Sequence, residues 1–389
     1  MKIKSKLVFF ILISLMLVTI SQLSSALEPE LLWKKEIPSK THHVSFAKQS
    51  GDVIFIHGDK KNRITLIDKD GETRWQWGPD LELCVLDISI SNDGRYFVFN
   101  SAYQLWVRME KGARYKDYIH YYDRTKGELW KENIFGSSCI SPEGKYVFIT
   151  SPPEWGGPSI LLDSNKKNLW KEDIGEIEDV VFSADSNYIA YSVSQFSPEV
   201  YLFNINEKNY KKIGIGDITS ITNNGEYVGI EIGNHLFGYE FFKKYPPKEG
   251  IYNKEGNLAF EGKNTISENG KIVVSHFENR IEIRNFLSKE KIKEFSIQRW
   301  EYPKYPTYGR VNQVSYDGRY IAIFGKRTDK NSSSNLFLID TQEGSLWEET
   351  IENVGKNDGI SLFLTGDGKF LFVGISKEEK STFYFYQIY

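Results

Sequence analysis

The chain has 389 residues, of which 40% are hydrophobic and 26% charged, with a formal net charge of −3. A single compact core stops growing at roughly 250–300 residues, so this length calls for several domains or for repeats that pack only on their neighbours. Beyond residue 26 there are 46 basic against 52 acidic residues and no long basic tract, which sets nucleic acid aside as the main partner.

The first segment reads as an export signal. Lys2, Lys4 and Lys6 form a basic head, Leu7 to Ile20 is an apolar run, and Ser24-Ser25-Ala26 offers small residues for cleavage after Ala26. The run is short for a bilayer span, so 1–26 is expected to be a signal peptide and 27–389 the mature domain, without a membrane span. An uncleaved anchor is the alternative. No Cys stands beside the cleavage site to carry a lipid. The expected location is secreted, periplasmic or cell-surface.

Next comes a strand, Leu31 to Ile37, with Trp33 on it. From there one pattern recurs to the end. A short strand reaches Ser or Thr, turns through an Asp-Gly or Asn-Gly type sequence, and continues in an aromatic or aliphatic strand. The copies begin at Ser91, Ser141, Ser183, Thr222, Ser267, Ser315 and Thr365, with a degenerate first copy around Gly51. Gly accepts positive φ, and Asn or Asp tolerates the left-handed region, so each copy predicts a hairpin. Ser186 replaces the glycine in one copy and needs a different turn. The spacing of the turns lies in the range of propeller blades and not of shorter solenoids.

A second signal follows each hairpin. A strand ends in Asp or Asn, at 68, 123, 163, 204, 253, 285 and 340, and a turn leads into an aromatic strand. Trp75, Trp130, Trp170 and Trp347 occupy that strand. Phe260, Tyr210 and Phe295 stand in for Trp in the weaker copies. Each repeat is thus four strands, A to D, and aromatics at 15% suit strands. The final copy lacks strand D, and the N-terminal Leu31–Ile37 supplies it. The expected fold is all-β: a β-propeller of about eight four-stranded antiparallel blades, seven being the alternative, closed by the N-terminal strand.

The runs Tyr122-Asp-Arg-Thr-Lys-Gly-Glu-Leu-Trp130 and Ile339-Asp-Thr-Gln-Glu-Gly-Ser-Leu-Trp347 resemble the quinoprotein-like propeller repeat. The Ser-x-Asp-Gly-Lys/Arg-Tyr hairpins look like WD40-type repeats of periplasmic propellers. The resemblance covers nearly all of 31–389 and implies eight blades and a non-enzymatic assembly scaffold. The cofactor-binding members carry adjacent cysteines, and no Cys-Cys pair exists here, so no quinone, calcium or other cofactor is expected. The Trp residues are read as packing between blades.

In such a ring the A–B and C–D turns share one face, and the B–C and D–A connections share the other. Long aromatic insertions fall in the second class. They are Ser101 to Tyr118, with Tyr103, Trp106 and Tyr118; Pro152 to Pro158, with Trp155; Gly233 to Gly250, with Tyr239 and Tyr245; and a D–A loop from Arg299 to Tyr308, with Trp300, Tyr302 and Tyr305. Tyr and Trp bury large area at small entropic cost, and Arg adds a planar charged contact. These ten residues are the expected binding face for a protein or glycan partner.

No catalytic or metal site is expected. His42 and His43 are adjacent, so they point to opposite faces of a strand. His57, His120, His235 and His276 lack metal-ligand spacing. There is no Walker loop and no Gly-x-Ser-x-Gly elbow. Cys84 and Cys139 read as two small buried thiols on neighbouring inner strands, a disulfide being the alternative. The expectation is an exported, monomeric, non-catalytic binding or assembly scaffold. The rival is a propeller lyase, lactonase or hydrolase with its site at the central channel.

Overall fold

The computed structural model describes residues 27–58, 63–78, 83–103, 117–134, 136–150, 158–194, 199–232, 248–299, 312–327, 335–352, 354–355 and 358–389. Strands form eight antiparallel sheets and there is no helix among the described residues. In chain order the sheets are blade 1 (41–77), blade 2 (83–132), blade 3 (137–172), blade 4 (176–215), blade 5 (217–261), blade 6 (264–295) and blade 7 (297–350). Blade 8 combines 359–387 with the N-terminal strand Glu30–Ile37 as its outermost member. The count is eight, and the N-terminal strand closes the ring as the repeat predicts.

The hairpin signature works through three bonds repeated from blade to blade. In blade 2 the Tyr96 N–H donates to Ser91 Oγ at 2.9 Å, Ser91 Oγ donates to Asp93 at 2.6 Å, and the Arg95 N–H donates to Asp93 at 3.0 Å. Blade 7 repeats this with Ser315, Asp317, Arg319 and Tyr320. The hydroxyl and the carboxylate thus satisfy turn amides that would otherwise be lost from the ladder. The following glycine meets two demands at once. Gly144 has φ +72°, and a Cβ there would lie 2.3 Å from Tyr96 of the preceding blade. The turn and the seam between blades need the same missing side chain.

The C–D turns close on their own Asx residue. Asp163 Oδ1 accepts the N–H groups of Asn165 and Lys167 at 2.9 and 2.8 Å, and Asp68, Asp123, Asn204, Asn253, Asn285 and Asp340 act alike. Asp123 is the most strongly held. Its Oδ1 takes the Thr125 N–H and hydroxyl at 2.8 and 2.7 Å, and its Oδ2 takes Arg95 at 2.9 Å. Burial would push this carboxyl up, but the Thr125 and Arg95 bonds outweigh it and hold it at about 2. The folded value lies below the unfolded one of about 3.9, so the contribution is present above roughly pH 4 and lost as pH falls toward 2. Asp123→Asn keeps a turn acceptor and loses the charge. Wild type should therefore be more stable than the variant at pH 7 in urea titrations, with the gap closing between about pH 4 and pH 2. A gap independent of pH over that range would show that the charge contributes nothing.

The apolar residues pack between blades. One cluster joins blades 1 and 2 (Ile54, Ile64, Ile88, Phe97), another blades 3 and 4 (Phe148, Leu161, Phe182, Phe203), and another blades 8 and 1 (Phe372, Phe385, Phe46, Phe55). The remaining seams are filled in the same way. The outer-strand tryptophans bolt each blade to the next. Trp75 lies 4.7 Å from Phe97, Trp170 5.0 Å from Phe203 and Trp347 5.5 Å from Tyr386, while Trp130 donates to the Ser164 carbonyl at 3.1 Å. Phe260 reaches Phe286 of blade 6 in the same manner. Tyr210 does not. It is 41% exposed, meets Tyr201 of its own blade edge to face, and donates to Glu172 of the preceding one. A phenol needs a polar partner, and Glu172 lies on that side.

Blade 7 corrects one expectation. The segment beginning at Arg299 is not a D–A loop. Ile297–Arg299 already pairs with Arg327 to Gly325, and Asn312–Val314 pairs with Ile323 to Ile321 on the same neighbour. Both pieces are the innermost strand, so residues 300–311 are inserted within it. The apolar Ile297, fully buried, fills the seam and draws the strand into register before the insertion begins.

Candidate functional site

The innermost strands surround a central channel, and their free edges face it. Side chains of one blade cap the edge amides of the next. The Ile90 N–H donates to Ser45 at 3.2 Å, Ile140 N–H to Ser89 at 3.3 Å, and Ile266 N–H to Ser220 at 3.1 Å. Four of these strands carry a bulge, between Thr41 and His43, Val85 and Asp87, Ile177 and Asp179, and Ile218 and Ser220. A bulge places one extra residue on the strand, here His42, Leu86, Glu178 and Thr219, and re-aims its neighbours. Leu86 is 40% exposed as a result.

His43 and Asp87 follow the first two bulges and face each other across the seam, Nδ1 to Oδ1, at 3.6 Å. Asp87 also accepts the Ile88 N–H at 2.8 Å and the Ser138 N–H of blade 3 at 3.4 Å. Loss of solvent pushes the Asp87 carboxyl up against the pull of His43, and burial pushes the imidazole down against the pull of Asp87. Asp87 is therefore another edge cap. Cys84 and Cys139, on the inner strands of blades 2 and 3, are not joined by a disulfide. Burial pushes Cys139 up to about 12, the wrong direction for a nucleophile.

A Ser-His-Glu relay lies in blade 2. Ser101 Oγ is 2.8 Å from His120 Nε2, and His120 Nδ1 is 2.7 Å from Glu128. Burial lowers the imidazole and Glu128 opposes it. The neutral tautomer that serves both partners donates from Nδ1 and accepts at Nε2. Ser101 is only 1% exposed and the His120 ring is stacked on Phe99 at 4.6 Å, so no substrate reaches the hydroxyl. Blade 1 holds the same strands together with His57, Thr65 and Gln76. The relay is a cross-strand tie. No group of three or more metal-ligating side chains occurs among the described residues.

The two mouths differ. On the A–B side, backbone bonds run from turn to turn around the channel, as from Asn92 N–H to Pro142 O at 2.8 Å and from Gly366 N–H to Lys48 O at 2.8 Å. The ion pair of Lys48 in blade 1 with Glu268 in blade 6 passes over blades 8 and 7, a chord across this mouth. Every A–B and C–D turn is short. The strand ends that flank 104–116, 151–157, 233–247 and 300–311 lie on the opposite side of the ring.

Of the ten residues expected to bind, Tyr118 alone has a described side chain. It opens the third strand of blade 2, half-buried, with Lys131 Nζ 3.9 Å from its ring centre and His120 at 6.2 Å. Packing within its own blade accounts for it. Tyr103 ends the second strand of that blade opposite Leu83, and Arg299 pairs with Gly325. Trp106, Trp155, Tyr239, Tyr245, Trp300, Tyr302 and Tyr305 lie outside the described residues. Sequence reasoning missed the His43–Asp87 and Lys48–Glu268 pairs. Register could have found the first, since His43 stands four residues before Ala47 and Asp87 four before Ser91 at the matching turn.

No protein-family model and no curated protein matches the chain. Solved propellers are similar in structure. The C-terminal WD40 domain of Sif2 matches with a TM-score of 0.54 at 11% identity, over 92% of this chain and 98% of that one. The β-propeller domain of Cps50 (Swd1) from Myceliophteria thermophila matches with a TM-score of 0.49 at 11% identity, over 92% and 99%. The Sif2 likeness shows that this chain has the WD40-like propeller fold.

Proposed function

We propose that this protein is an exported, non-catalytic binding or assembly scaffold that takes a protein or glycan on its loop-rich face. The observation that carries the reading is the asymmetry of the ring. One mouth is tied by turn-to-turn bonds and bridged by Lys48 and Glu268, while the strand ends that flank the long connections lie on the other side. Those connections hold Trp106, Trp155, Trp300 and Tyr302, residue types that anchor interfaces. The buried relay across the outer strands of blade 2 and the unactivated Cys139 thiol on the inner strand of blade 3 argue in the same direction. Export rests on the basic head and apolar run of 1–26. The quinoprotein-like affinity rests on the Gly-x-Leu-Trp turns at Trp130 and Trp347.

The test is a cross-linking pull-down from the envelope and culture fluid of the source cells with residues 27–389 as bait. A variant with Trp106, Trp155, Trp300 and Tyr302 changed to Ser runs beside it, its fold checked by circular dichroism. Capture of a partner by the first and a tenfold or greater loss by the second supports the loop face. Equal capture by both overturns it.

A further inference from the structure

We infer that the closed ring opens first at the inner edge of the seam between blades 3 and 4. Seven of the eight seams carry a backbone bond between neighbouring A–B turns. They run from Gln49 and Ser50 to Asn92, Asn92 to Pro142, Asp185 to Asn223, Asn223 to Glu268, Asn269 to Tyr316, Tyr316 to Gly366, and Gly366 to Lys48. At the other seams the donor is the residue equivalent to 142 or the one after it, so blade 3 would donate to the turn of blade 4 from residue 142 or 143. Residue 142 is proline and has no N–H. No other turn amide of blade 3 makes the bond among the described residues.

A second defect meets the first. Blade 4 carries Ser186 where the other hairpins carry glycine, and Ser186 sits at φ +58°, a left-handed conformation that a side chain disfavours. Its Oγ is buried without a hydrogen-bond partner. Three counterpart glycines make room for the aromatic of the preceding blade: Gly144 for Tyr96, Gly225 for Tyr188 and Gly368 for Tyr320. At this seam a strained residue with an orphaned hydroxyl takes that place. The orphaned hydroxyl gains water when the turns separate, and the strained hairpin beside it is the weaker partner of the seam.

The outer part of the same seam is well packed. Trp170 lies 5.0 Å from Phe203, and Phe148 lies 6.1 Å from Tyr191. The opening therefore hinges on these rings and parts the turns of blades 3 and 4 beside the channel.

Hydrogen exchange read by mass spectrometry on the intact chain tests this. The hydrogen-bonded amides of 176–182 and 188–194 should exchange faster than those of 83–90 and 96–103. Ser186→Gly removes the side chain and its orphaned hydroxyl, and should slow exchange in blade 4 by about tenfold. Asn92→Pro removes the equivalent N–H at the seam between blades 2 and 3 and should speed exchange there. Blade 4 amides that exchange no faster than those of blade 2, or a Ser186→Gly rate unchanged from wild type, would overturn the inference without bearing on what the loop face binds. The Ser186→Gly comparison decides the matter if the proline variant does not fold.

Discussion

Deleting residues 27–37 should abolish cooperative unfolding. The strand Glu30–Ile37 pairs along Ser381–Gln387 and is the fourth strand of blade 8. Trp33 stacks on Phe385 at 5.1 Å, donates to the Lys69 carbonyl at 2.8 Å, and covers Gly71 of blade 1. Lys35 donates to the Gly71 carbonyl at 3.0 Å, and Ile37 belongs to the cluster between blades 8 and 1. Leu27 packs in the cluster between blades 7 and 8. Trp33 is half-buried, so losing it costs about 1–3 kcal/mol, less than the roughly 3–5 kcal/mol of a fully buried Trp, against about 5–15 kcal/mol for a whole domain. The truncation removes that ring, a ladder of backbone bonds and the lock between first and last blades together. Far-ultraviolet dichroism on heating should show a broad, non-cooperative loss, and gel filtration should show aggregates from the bared edge of Ser381–Gln387. Trp33→Ala should keep the transition and lower stability by about 1–3 kcal/mol. A truncated chain that melts sharply near the wild-type temperature would refute the closing role.

The second large effect concerns two glycines of similar backbone conformation. Gly144 has φ +72° and Gly127 has φ +87°, so alanine pays about 1–2 kcal/mol of left-handed strain at either. Their surroundings differ. A Cβ at Gly144 would lie 2.3 Å from Tyr96 Cδ2 and 3.0 Å from Tyr96 Cβ, whereas nothing stands within 4 Å at Gly127. Tyr96 cannot retreat easily, because its ring is stacked on Tyr121 at 5.9 Å and held under the Arg95 guanidinium at 4.9 Å. Overpacking adds about 1–3 kcal/mol. Gly144→Ala should therefore cost about 2–5 kcal/mol and Gly127→Ala about 1–2 kcal/mol in denaturant titrations. Equal losses would mean that the close approach of blades 2 and 3 is not under strain.

The fold was legible because each blade needs the same local chemistry. Ser91, Asp93 and Gly94 form a turn that any reader of backbone physics can recognise, and Asp123 closes the next one. The tryptophans were legible as bolts because an indole on an outer strand has only the next blade to cover it. What could not be read was contact between residues related by curvature. Lys48 and Glu268 are 220 positions apart and meet only because the ring brings blades 1 and 6 around one mouth. The split inner strand of blade 7 was hidden because the pairing stretch Ile297–Arg299 is too short to show a period of two, so the insertion looked like a connection between blades. Of the expected binding face, Tyr118 was legible as an aromatic but not as one already engaged by Lys131 and His120.

The closing strand also dictates when this protein becomes a protein. Glu30–Ile37 is made long before its partner Ser381–Gln387, with all seven other blades between them in sequence. Until then seven blades stand in an arc with Phe46, Phe55 and Val53 uncovered at one end and the apolar seam of blade 7 at the other. Contacts this distant in sequence form slowly, and exposed strand edges invite aggregation while they wait. The ring cannot close until Ser381–Gln387 has been made, so both bare ends must stay soluble through most of the synthesis of the propeller.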